Sequence, residues 1–113
     1  KGAAINGDRV YRMDRSELAN LIAETWTTDA LGVPAKTETS RSVYVAVDSV
    51  TSDEWFNGAR QGLNPEFRFR MFRFDYAGEQ IIEYQGNRYT VYRTYIGRDD
   101  VIELYTQRKQ GNV

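Results

Sequence analysis

Residues 66–108 constrain this chain more than any other stretch, because they read as four strands separated by three tight turns. Phe67, Phe69 and Met71 alternate with Glu66, Arg68 and Arg70. That is the two-residue period of a strand with one buried face. At Met71–Phe72 the parity slips, and Phe72 and Phe74 then alternate with Arg73 and Asp75, which predicts a β-bulge. A turn at 75–78 leads to a strand at 81–84. A hairpin turn at 85–88 follows, where Gly86 and Asn87 are expected to supply the positive φ values. Strands at 89–96 and 101–105 flank a further turn at 97–100. Turns recurring at roughly 8–12 residues describe an antiparallel meander. Long aromatic strands with open edges would aggregate, so the sheet is expected to curl into a small, partly closed barrel.

The upstream half adds two strands and a helix. Residues 18–28 alternate and are Thr-rich, and are expected to form a strand after a short turn or helical start at 14–17. Asp29 to Pro34 reads as a loop, because Pro34 has no N–H to give a central ladder. Val43, Val45 and Val47 mark a second strand over 37–50. The polar outer half of this hairpin, 25–41, has little to bury and is expected to project as a flexible or partner-docked loop. Thr51-Ser52-Asp53-Glu54 has the form of a capping box and opens a helix over 52–61. Trp55, Phe56 and Ala59 are expected to pack that helix onto the barrel, with Gly62 ending it. The fold class is therefore mainly β: a barrel of about six strands, one short helix between the second and third, and a long projecting hairpin.

A chain of 113 residues makes one domain, here 14–113. Residues 1–13 read as an N-terminal arm, or as an expression remnant ahead of a native start at Met13. Roughly two-thirds of the unfolded surface is buried at this size, enough for a core without staples. There is no cysteine and no histidine, which removes disulfides, thiol chemistry and the commonest acid–base group. No run approaches the roughly 20 apolar residues of a membrane span. The first 30 residues lack the continuous apolar core of a signal peptide.

No constellation for catalysis, cofactor or metal emerges. The acids are plentiful, but no paired-carboxylate signature stands out. Asp99-Asp100 lacks the ligand spacing of a calcium loop and reads as a turn. Gly58–Gly62 ends a helix, whereas a phosphate loop begins one. Arg68, Arg70 and Arg73 are a candidate site on the polar side of the aromatic strand. They could contact nucleic acid as in small binding barrels, face another subunit or a DNA-filled channel, or pair with Glu66, Glu83 or Glu103. The balance of 15 Lys+Arg against 16 Asp+Glu is not that of a nucleic-acid wrapper.

A resemblance is carried by Val45-Ala46-Val47-Asp48-Ser49-Val50-Thr51-Ser52-Asp53-Glu54-Trp55-Phe56, by the Ala59–Phe67 return, by the Asp75–Thr94 hairpin and by Ile102-Glu103-Leu104-Tyr105. These segments, about two-thirds of the chain, resemble the head-tail adaptor proteins of long-tailed bacteriophages, also called head-completion or head-closure proteins. The resemblance implies a β-barrel that docks as a ring on the portal connector, extends the DNA channel without sequence-specific binding and offers a surface to the tail. It implies portal and tail-side proteins as partners, copies of itself in the ring, and a place in the neck of the virion after assembly in the host cytoplasm. The projecting residues Leu31, Gly32, Val33, Pro34 and Lys36 are the expected contacts. A small nucleic-acid-binding barrel using the arginine and aromatic face is the alternative.

Overall fold

The computed structural model describes residues 16–109 and contains the expected order of elements. Strands β1 (Glu17–Thr28) and β2 (Pro34–Ser49) precede helix α1 (Ser52–Arg60). Strands β3 (Pro65–Phe72), β4 (Ile81–Tyr84), β5 (Asn87–Ile96) and β6 (Val101–Arg108) follow, with 3-10 turns at Arg73–Asp75 and Arg98–Asp100. The expected arm at 1–13 lies outside the described residues. The expected turn or helical start at 14–17 falls partly outside the described residues; of the rest, Ser16 is irregular and Glu17 already belongs to β1.

The strands close into a ring in the order β1-β2-β3-β6-β5-β4, every neighbour antiparallel. This corrects the simple meander. β3 lies between β2 and β6, and residues 73–80 carry the chain across one end to reach β4. The register explains the choice: β6 sets Leu104 opposite Phe69 and Ile102 opposite Met71. Four inward apolar residues meet there, a better burial than the short β4 offers. β4 closes the ring through three pairs with β1, Asn20↔Glu83 to Ile22↔Ile81.

Alternate residues of every strand fill the core. They are Ala19 and Leu21, Val43 and Val45, Phe69 and Met71, Ile82 and Tyr84, Tyr89 and Val91, and Ile102 and Leu104. Phe67, partly buried, stacks on Tyr89 with ring centroids 5.4 Å apart, and Phe69 meets Tyr84 at 5.5 Å in the same edge-to-face manner. Thr106 is buried beside them, and its Oγ1 donates to the Phe67 carbonyl at 3.1 Å, so its burial is compensated.

The bulge is elsewhere than expected. Register shifts occur between Pro65 and Phe67 and between Val91 and Arg93, while β3 pairs regularly through Met71 and Phe72. The parity slip at Met71–Phe72 marks the end of a strand. Phe72 closes the outward row, and Arg73 enters a 3-10 turn that leaves Phe74 three-quarters exposed. The β4–β5 turn also differs: Gln85 (φ 51°) and Gly86 (φ 80°) take the positive values, while Asn87 pairs with Tyr84 in the ladder.

The β1–β2 hairpin is paired to its tip, from Glu17↔Val45 to Thr28↔Pro34. β3 covers only Ala46–Ser49 of β2, so the distal part stands clear of the ring as a two-stranded ribbon. Pro34 opens β2 instead of ending a loop, a position where its missing N–H costs no ladder bond. Lys36 is likewise strand. The loop contracts to 29–33, where Asp29 Oδ1 accepts from the N–H groups of Leu31 (2.8 Å) and Val33 (2.9 Å) and Gly32 takes φ 82°.

Candidate functional site

The arginine row divides on folding. Arg68 and Arg70 project from β3 on the outer face, where both reach Asp48 Oδ2 on β2, at 3.0 and 3.1 Å. Arg73 is not part of that row; its 3-10 turn carries it to Asp100 at 3.3 Å. The outer network continues across β6. Arg68 lies 3.9 Å from Glu103, whose carboxylate accepts from the Tyr105 hydroxyl at 2.6 Å. Arg93 stacks on the Tyr105 ring at 3.9 Å and pairs with Glu54 of α1. Glu54 also accepts from the Tyr92 hydroxyl at 2.6 Å. Burial, together with that donation to Glu54, pushes the Tyr92 phenol above its ordinary range. Arg68, Arg70 and Arg93 are thus matched by Asp48, Glu103 and Glu54 across four strands and a helix.

Sequence reading expected glutamates as the partners of this row, and Glu103 is one of them. It missed Asp48, the residue that both arginines share. The signal was present in the antiparallel pairing of the second and third strands, which sets Asp48 directly opposite Arg68.

Helix α1 is turned the other way from expectation. Thr51 caps it, its hydroxyl accepting the Glu54 N–H at 3.2 Å, but Trp55, Phe56 and Ala59 face solvent. The buried helix residue is Gly58, where an added Cβ would lie 2.5 Å from Pro65 Cγ. Only a residue without a side chain lets the helix approach the start of β3 so closely. Glu54, bound to Tyr92 and Arg93, fixes the same inner edge. A polar residue and a glycine therefore anchor α1, and an aromatic pair in edge contact (5.2 Å) is left outside. Beside the helix opens a cleft of about 560 Å³ lined by Asn57, Arg60, Gln61, Leu63, Tyr92 and Arg93.

At the opposite end of β2 stands the hairpin tip. Leu31 is 86% exposed and Val33 and Trp26 are more than half exposed, while Gly32, Pro34 and Lys36 are also in solvent. The ribbon is stiffened along its length by Lys36–Glu24 (3.3 Å) and by a two-pronged Arg88–Glu38 pair (2.9 and 3.1 Å). Arg41 at its root meets Glu79 at 2.6 Å, which also accepts the Ala77 N–H at 2.9 Å. Burial raises the Glu79 pKa, but these donors outweigh it and hold the carboxyl below its ordinary range.

Among the described residues no group of three or more potential ligands gathers to hold a metal ion, and no helix is long and apolar enough to cross a membrane. No protein-family model and no curated protein matches this chain.

Proposed function

We propose that this chain is a structural adaptor of the head–tail interface of a long-tailed bacteriophage, docking on the portal connector and presenting a surface to the tail. The observation that carries the reading is a pair of exposed apolar ends separated by one strand. β2 begins at the Leu31/Val33 tip and ends at Ser49, just ahead of the Trp55/Phe56 helix. Sixteen residues at about 3.3 Å each span roughly 50 Å. Exposed aromatics and aliphatics at two distant points suit a bridging part that contacts one neighbour at each end. The resemblance of the Val45–Phe56 and Asp75–Thr94 segments to head-tail adaptors supplies the setting: the neck of the virion, with DNA passing through without base-specific contact.

The neutralised arginine face supports the same reading over the nucleic-acid-binding alternative, since it leaves no surplus cation for a phosphate backbone. The test is assembly. A Leu31→Glu/Val33→Glu double variant alters only exposed tip residues and is expected to keep the wild-type circular dichroism and melting temperature. Filled heads carrying it are expected to fail to join tails. Fully infectious particles would overturn the role given to the tip.

A further inference from the structure

The cleft beside α1 and the tip of the hairpin fit one another. We infer that the tip of one copy seats in the α1 cleft of a second copy, so that the chain associates head to tail. The inference deepens the adaptor reading, resting on the tip as a contact element, and it names the occupant of the cleft.

Three observations converge. The first is shape: the tip is a knob of five residues, 29–33, held closed by Asp29, and the cleft is a hollow of about 560 Å³. A hollow of that size has room for a leucine side chain and part of its turn. The second is polarity. Leu31 and Val33 are exposed aliphatics, and the cleft offers Leu63 and the ring of Tyr92. Asn57 and Gln61, also four residues apart on one helix face, present amide donors and acceptors matched to the peptide groups of a turn. The third is charge. Asp29 brings a carboxylate to the tip. Arg60 lines the cleft and, among the described residues, has no ion-pair partner.

The two surfaces lie at opposite ends of β2, so one molecule cannot satisfy both against itself. An interface of this kind is heterologous: each copy gives its tip to one neighbour and its cleft to another. Repetition closes a ring if the rotation per copy divides a full turn. A contact made by one tip and one cleft falls in the small, weak class, which favours assembly at high local concentration.

The absence of cysteine makes the test clean. Leu31→Cys and Asn57→Cys change exposed positions and are expected to leave the fold intact. A disulfide forms only when the two Cα atoms come within about 7 Å. Under mild oxidation a mixture of the two single variants is expected to give a mixed dimer several-fold above a control pair of Leu31→Cys with Gln80→Cys. Neither variant alone is expected to dimerise beyond the control. Placing Arg60→Glu in the Asn57→Cys chain is expected to cut the mixed yield several-fold. Yield equal to the control, yield that Arg60→Glu leaves unchanged, or a dominant Leu31–Leu31 product would each overturn the proposal. Tail joining by tip variants is read separately on particles, so loss of this contact and loss of the adaptor role are told apart.

Discussion

Glu79 shows how a single carboxylate ties the crossing segment 73–80 to the root of the hairpin. It is nearly buried, yet it is charged, because Arg41 and the Ala77 N–H face it. Its folded pKa lies below the ordinary glutamate value of about 4.3. The sign follows: a depressed acid adds stability that is fully present above the unfolded pKa and is lost as pH falls through the folded one. The stability gap between the wild type and Glu79→Gln is therefore expected to be open at pH 7 and to close below pH about 4. Urea unfolding across that range measures it; a gap that widens in acid would contradict the Arg41 pairing. Nothing in the sequence pointed to Glu79, because its partner is 38 residues away and reaches it only after β1–β2 and β4 are in place. Gly58 was similarly opaque. It reads as an ordinary residue in a helix, and its reason, the approach of Pro65, exists only in the fold.

The legible elements are those with strong local signals. The capping box placed α1 to within one residue, and the Val43/Val45 alternation placed β2, although its start at Pro34 came earlier than the proline suggested. The cap is expected to matter on its own: Thr51→Ala should cost about 1 kcal/mol in urea unfolding, with the barrel otherwise unchanged. Pairing between neighbours in sequence, β1 with β2, β4 with β5 and β5 with β6, was legible too, whereas pairing across the chain, β3 with β6 and β4 with β1, was not. A strand end and a bulge give the same change of parity, so the slip at Met71 reads as a bulge although it ends β3. The register shifts lie instead between Pro65 and Phe67, where a proline opens the strand, and between Val91 and Arg93, where Val91-Tyr92 breaks the alternation. The orientation of α1 was misjudged for a related reason. Aromatic residues on a helix are normally core, and here the inner face is specified by a glycine and by Glu54, whose partners lie 38 and 39 residues away.

At the scale of the molecule, charge and shape give separate messages. Cations and acids interleave over the outer wall, so the purified protein is expected to show little or no binding to single-stranded oligonucleotides, and no steep dependence of affinity on salt. A fluorescence titration between low and moderate salt checks this; a slope of several units would restore a nucleic-acid role to Arg68 and Arg70. Closure of the sheet was legible, because long aromatic strands with open edges would aggregate; the place of β3 between β2 and β6 was not, since it is not a property of any one segment.

β1 and β2 are at once part of the wall and the two rails of the ribbon, with paired residues from one to the other and no joint between. A push against the tip therefore has nowhere to be absorbed by bending at a pivot. It arrives as torque on the wall itself and, through the last residues of β2, at the foot of α1. Tip and helix foot are thus the two ends of a single unbroken strand.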